Sequence, residues 1–356
     1  MIHLDTTVLP ERSRRDLFVV DGRVRMEPVE DATTASVGGY AIPGLVDAHA
    51  HLALRSPAGD TARARDRIRA SARAQLDAGV LLVREPGSPT RYARDIGPGD
   101  GLPRVQTAGR FLAAPGRYFP NLAREVTADE LPDAVADELA WSGHGAKVIG
   151  DFFDDDGAIT PVFPTEALVA AAAAAHADGG RITMHCMTVA AAEQALEAGF
   201  DAIEHGTSLS ADVIDEMAAR EVTWVPTMSI LESARQMLAD NPAADTDTIL
   251  AGFDRHPGMV RLAAERGVRL LAGTDAGVVP HGVVASEIRL LEAAGLSAKE
   301  ALAAGSWEAR RYLGLPLIED GAPADLVVYR DDPTEDLTLL DHPTLIMLDG
   351  EIVTRR

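Results

Sequence analysis

Two kinds of hydrophobic spacing alternate along this chain. Short apolar runs bounded by Gly, Pro and Asp read as strands over 43–49, 80–84, 104–109, 146–151, 181–186, 201–205, 222–227 and 268–275. Longer Ala-rich stretches between them can hold helices, although the stretch after the second run is rich in Gly and Pro. Thr127-x-x-Glu130 and Ser297-x-x-Glu300 have the spacing of capping boxes, in which the glutamate bonds back to the first amide. Thr165, after Pro164, is expected to cap the alanine run ending near His176. Gly79, Gly179 and Gly199 fall where helices should stop. Eight strand–helix units predict an α/β fold, a (β/α)8 TIM barrel over residues 43–318.

The two ends of the chain follow a different rhythm. Leu17–Val20 leads through Asp21-Gly22 to Arg23–Met26, and Leu345–Leu348 leads through Asp349-Gly350 to Glu351–Val353. An Asp-Gly pair between apolar runs predicts a hairpin, because both turn residues need positive φ. Leu326–Tyr329 reads as a further strand. Residues 1–42 and 319–356 are therefore expected to combine in a small β-sandwich domain built from both termini.

Composition narrows the partners. A hydrophobic fraction of 46% is enough for a sizeable core. A formal charge of −22 argues against nucleic acid and anionic membrane and favours a small-molecule substrate. The single cysteine, Cys186, excludes an intrachain disulfide and fits a reducing compartment. With no basic-then-apolar leader and no apolar run of about 18 residues, a cytoplasmic location is expected.

The chemistry gathers on the predicted strand ends. Only Lys147 and Lys299 are lysines; every other basic residue is arginine. Lys147 lies in the apolar run Ala146-Lys147-Val148-Ile149. A buried lysine can give up its proton, which arginine cannot, and the neutral amine can add CO2 to become an anionic carbamate. His49 and His51 are two apart, so in an extended strand both imidazoles point the same way. His185, His205 and Asp275 close later strands. Each has a plainer reading alone: a chance His-x-His, a helix cap, a turn aspartate, a Lys147–Asp151 pair. Together they predict a metal site, with Zn²⁺ favoured and Mn²⁺, Fe²⁺, Co²⁺ or Ni²⁺ possible. His281, just past the eighth strand, is a candidate for substrate contact, as is Tyr118 on the loop after the third. Arg84, Arg110 and Arg117 are candidates for pairing a substrate carboxylate.

These motifs resemble the amidohydrolase superfamily of metal-dependent hydrolases nearly end to end. Ile42-Pro43-Gly44-Leu45-Val46-Asp47-Ala48-His49-Ala50-His51, Ile203-Glu204-His205-Gly206-Thr207 and Gly273-Thr274-Asp275-Ala276-Gly277 look like its first, sixth and eighth strand motifs. Gly321–Val327 is similar to its return to the terminal domain, and Trp224-Val225-Pro226-Thr227 looks most like the imidazolonepropionase and Xaa-Pro dipeptidase (prolidase) branch. Arg84-Glu85 departs from the Arg-Asp common in relatives, and Gly150-Asp151 departs from the usual prolidase continuation. The resemblance implies a binuclear centre. His49, His51 and Asp275 would hold one ion, His185 and His205 the other, with carboxylated Lys147 and a hydroxide bridging. Asp275 would be the catalytic proton acceptor. It implies hydrolysis of an amide-type C–N bond in a dipeptide such as Xaa-Pro or an N-acyl amino acid. Opening of a cyclic amide, or lactone or carbamate hydrolysis, fits the same metals. Deamination fits less well, because Cys186-Met187-Thr188 follows His185 where deaminating relatives carry His-x-x-Glu. A non-enzymatic scaffold would have lost such ligands. Homo-oligomers are common in the family.

Overall fold

A computed structural model describes residues 1–59, 61–240 and 242–355. Leu45–Asp47, Val80–Glu85 and Arg104–Thr107 form one parallel sheet. Phe111–Ala113, Gly145–Ile149, Arg181–Cys186, Ala202–His205 and Thr223–Val225 form a second in that order, with Ala123–Glu125 at its edge. Helices such as Leu131–Ser142, Thr165–Ala177 and Val189–Ala198 lie between successive strands. A bridge between Ser88 and Arg110 joins the sheets on one side. On the other, segment 269–276 joins them: Leu271 N donates to Trp224 O at 3.0 Å, Ala48 N to Ala272 O at 2.9 Å and Asp275 N to His49 O at 2.7 Å. The result is a TIM-barrel-like α/β fold. Among the described residues no helix is long and apolar enough to cross a membrane.

Two expected strands differ. The third splits, because Gly109 turns at φ +77 beside the Glu138 side chain, where a Cβ would meet Oε2 at 2.4 Å. The chain then steps over to Phe111–Ala113, which pairs with Gly145–Ile149. The eighth is irregular and held by isolated bridges at Leu270 and Ala276. Thr274 N donates to Asp47 Oδ1 at 3.0 Å, which removes a donor that a regular ladder would use. Ser297 and Glu300 form their capping box. Glu130 does accept from Thr127 N, but the helix begins at Leu131, so that bond closes a turn ahead of it. Thr165 is the first helical residue, and its hydroxyl accepts from Gln194 instead of capping.

Strand alternation aims the site. Ala146 and Val148 join the main core under the helices, while Ile149 packs inward with Phe111 and Ala113. Lys147, on the Ile149 side of the same strand, is thereby buried inside the fold.

The chain ends meet in one seven-stranded sheet that begins at Ile2–Val8 and ends at Glu351–Arg355. Both hairpins form, with Asp21-Gly22 and Asp349-Gly350 at positive φ. The sheet curls back on itself: Arg23 bridges Pro323, and Val24 N donates to Ala322 O at 2.9 Å. One face holds its own cluster around Leu4, Leu17, Leu326 and Met347. The other face packs Ile42, Val327 and Tyr329 into the main core. Arg356, the last residue of the expected terminal unit, lies outside the described residues.

Candidate metal centre

His49 Nε2 and His51 Nε2 approach to 3.2 Å, so the two rings converge on one point. Asp275 Oδ1 completes the group, 3.1 Å from His51 Nε2 and 3.5 Å from His49 Nε2. These donors lie within 4.8 Å of one another and are buried. Each ring is fixed through its far nitrogen. His49 Nδ1 meets Glu204 Oε2 at 2.7 Å, and His51 Nδ1 donates to Gly87 O at 2.8 Å. Both bonds leave Nε2 free as a ligand atom.

His185 and His205 stand beside them, with ring centroids 4.7 Å apart and His205 4.8 Å from His49. His205 follows Glu204, which already points inward, so regular alternation would turn its ring outward. It has φ +65 instead, and this left-handed turn brings the ring back into the interior. Its Nδ1 is 2.9 Å from Thr227 Oγ1, and its carbonyl accepts from Trp224 Nε1 at 2.9 Å. Asp275 uses a similar turn at φ +53.

The electrostatics suit cations. Burial pushes His49 down to about 4 and His185 to about 3, so both rings are neutral ligands at ordinary pH. Burial also lowers Lys147 to about 8, within reach of the neutral amine. For Asp275 burial works upward, but the neighbouring His49 and His51 outweigh it and hold the carboxyl at about 2. Buried His185 Nε2 and Asp275 Oδ1 have no hydrogen-bond partner. Orphaned buried polar atoms are costly, and a divalent cation would satisfy both. The His49, His51 and Asp275 group fits a metal ion in donor type, burial and convergence.

His51, Lys147, His185, His205 and Asp275 line one cavity of about 170 Å³, with His49 buried behind them. A family model described as the Amidohydrolase family matches residues 40–353.

The chain belongs to the amidohydrolase family. It is thus a hydrolase acting on carbon–nitrogen bonds, in a family that generally binds divalent metals. An uncharacterized protein of Mycobacterium tuberculosis (strain ATCC 25618 / H37Rv) is 38% identical over 358 residues, covering 98% of this chain and 95% of its own. A crystal structure of a Xaa-Pro dipeptidase with bound methionine superposes with a TM-score of 0.82 at 23% identity, covering 99% of this chain and 98% of that one. A putative prolidase from Bifidobacterium longum does so at 0.81 and 24% identity, covering 99% and 94%. The amidohydrolase fold is shared with both.

Other expected residues fall differently around this amidohydrolase site. Tyr118 lines the cavity, packed against Phe111 and Phe152 and 6.3 Å from the His185 ring. Burial raises its phenol, which stays protonated. Arg84 does not line this cavity. It lies on the far side of the ligands, donating to Ala48 O at 3.0 Å and Glu204 Oε1 at 2.8 Å. His281 is likewise outside the cavity lining, with Nε2 donating to Leu54 O at 3.0 Å. Arg110 is held by Glu138, and Arg117 by Phe152 O and Thr160. Asp151 does not pair with Lys147: it accepts from Met187 N and from both donors of Thr188.

Sequence reasoning passed over Glu204, Thr227 and Asp47. Asp47 accepts from His49 N, Thr274 N, Thr274 Oγ1 and Gln75, tying the two ligand-bearing segments together. Glu204 was legible in principle, since it is an acid in an apolar strand one residue before a ligand.

Proposed function

We propose that this chain is a metal-dependent hydrolase that cleaves an amide-type C–N bond of a small molecule. The observation that carries the reading is the convergence of His49 Nε2, His51 Nε2 and unpartnered Asp275 Oδ1 at the base of a cavity. We assign His49, His51 and Asp275 to one ion and His185 and His205 to a second, with Lys147, carboxylated by CO2, between them. Zn²⁺ suits this imidazole and carboxylate set. Ions held there would lower the pKa of water toward neutrality and polarise the scissile carbonyl.

The protein's own groups handle protons and position. Asp275, ionised at any pH above about 2, accepts a proton during attack and returns it to the departing nitrogen. Tyr118 keeps its hydroxyl proton and serves as a donor toward the bound acyl group. Glu204 and Thr227 hold the rings of His49 and His205 in the orientation that presents Nε2.

An Xaa-Pro dipeptide, an N-acyl amino acid, a cyclic amide, a carbamate or a lactone would each bring an acyl carbon to these groups. The shared fold with a Xaa-Pro dipeptidase supports the amide readings. We also assign residues 1–42 with 319–356 to a β-sandwich flanking a closed barrel of residues 43–318. Its setting would be cytoplasmic, with a small-molecule substrate, no nucleic-acid or membrane partner, and self-association into a homo-oligomer.

The test is a panel of dipeptides, N-acyl amines and amino acids, cyclic amides and lactones. It is assayed with chelated protein and again after Zn²⁺ is restored. Amine release that appears only with metal supports the reading. Cleavage that survives complete removal of metal contradicts it.

A further inference from the structure

The cavity beside the ligands has an uneven lining. Apart from the candidate ligands it is almost wholly apolar, with Phe111, Tyr118, Phe152, Phe153, Phe253 and Met237 on its walls. Among the described residues lining it, Lys147 is the only Lys or Arg, and that lysine is buried and already assigned to the metal position. Thr207 is the one hydroxyl besides Tyr118.

Every nearby arginine is committed elsewhere. Arg84 serves Glu204 behind the ligands, and Arg117 is clamped on Phe152 O and Thr160. Arg55, exposed at the rim, donates to Val278 O at 2.6 Å and does not line the cavity. Against the apolar walls, away from the ligand end where the proposed ions would sit, a carboxylate loses its water and gains no fixed cation, which is costly. The formal charge of −22 adds a field that repels anions.

The space also has a size. An apolar cavity of about 150 Å³ takes up benzene, and this one measures about 170 Å³. Phe111, Phe152 and Tyr118 meet at tilted angles, with Tyr118 5.4 Å from Phe111 and 5.2 Å from Phe152, leaving ring edges and faces for a further ring.

We infer that the amide substrate presents an uncharged, ring-bearing apolar arm to this cavity and carries no carboxylate there. This rests on the amide-hydrolase reading and narrows it: simple dipeptides and N-acyl amino acids are disfavoured against neutral aryl or arylalkyl amides. Phe152, Phe153 and Phe111 are the specificity-determining walls.

A matched pair separates the two. N-acetylphenethylamine and N-acetylphenylalanine share the acetyl group and the ring, and differ by one carboxylate. With the metal-loaded full-length protein, the neutral amide should show kcat/KM at least about tenfold higher, a difference of ~1.4 kcal/mol. Equilibrium binding is measured separately by calorimetry on the slow Asp275→Asn protein, where the neutral compound should bind at least about tenfold more tightly. Equal or reversed preference in binding overturns the inference, and so does failure of the neutral compound to bind at millimolar concentration. If the binding preference holds but neither amide is cleaved with metal, the cavity assignment stands and the amide reading fails. Met237→Arg, at an exposed rim position, should narrow or reverse the preference, whereas Arg55→Ala should leave it unchanged. Loss of the preference in Arg55→Ala would also overturn the inference.

Discussion

Arg84 Nη1 and Glu204 Oε1 meet at 2.8 Å inside the fold, and the other oxygen of Glu204 holds His49 Nδ1 at 2.7 Å. Glu204 also accepts from Thr183 Oγ1, and is fully buried. Burial works to raise its pKa, but Arg84, His49 and Lys147 outweigh this and hold the carboxyl well below its usual range. The chain Arg84–Glu204–His49 fixes the ring whose free nitrogen faces the metal position.

Removing Arg84 therefore acts at a distance. Arg84→Met strands a buried carboxylate, and the loss of a partner in such a pair costs about 3–5 kcal/mol of stability. Metal affinity should fall about 10–100-fold, the usual effect of disturbing a partner of a ligating histidine. Chelator competition measures it. The double variant Arg84→Met with Glu204→Gln should regain stability over the single variant, because the stranded charge is gone. Unchanged metal affinity in Arg84→Met would remove Arg84 from this role.

Asp275→Asn keeps the size of the side chain but removes the proton acceptor. Turnover should drop about 10²–10⁴-fold, while the histidines still retain metal. Stopped assays beside elemental analysis read both quantities. Near-normal turnover would show that Asp275 is not the proton acceptor.

Gly273 packs against the first ligand. A Cβ there would lie 2.6 Å from His49 Cβ, 2.9 Å from His49 N and 2.5 Å from Val225 Cγ1. Gly273→Ala should destabilise by about 1–3 kcal/mol, as overpacking of a tight core does, and should weaken metal binding because His49 must move. Thermal unfolding with and without metal is the check. A variant with normal Tm and metal affinity would mean that this contact is easily relieved.

His256 gives a stability signature away from the ligands. Burial lowers its pKa from 6.5 to about 4, although its Nε2–H donates to Pro226 O at 3.0 Å. The unfolded chain therefore binds a proton more readily between those values. This contribution is fully present above pH 6.5 and is lost as pH falls toward about 4, by up to ~3 kcal/mol. His256→Phe should flatten that part of the stability profile. Denaturant midpoints measured from pH 7 to 4 that keep the wild-type slope would contradict the assignment.

Much of this was readable in the residue order, for physical reasons. The period of the apolar runs marks the strands that carry Lys147 and His185, since alternation decides which of their side chains face inward. Two features hid from it. The third strand breaks at Gly109 because Glu138, from the next α-helix, occupies the space a side chain would need. The eighth segment looks like a strand by composition, yet Thr274 gives its amide to Asp47 and Asp275 turns to positive φ. Arginine roles were the least legible. Arg84, Arg110 and Arg117 look alike in sequence, and only their partners Glu204, Glu138 and Thr160 separate them.

The central claim is that these side chains gather divalent ions that activate water. Elemental analysis of the purified chain, repeated on His49→Ala and Lys147→Met, tests it most directly. The account predicts close to two ions per wild-type chain, as for two-metal hydrolytic sites, and a clear loss in each variant. A wild-type chain that takes up no divalent metal, or variants that retain the full complement, would contradict it.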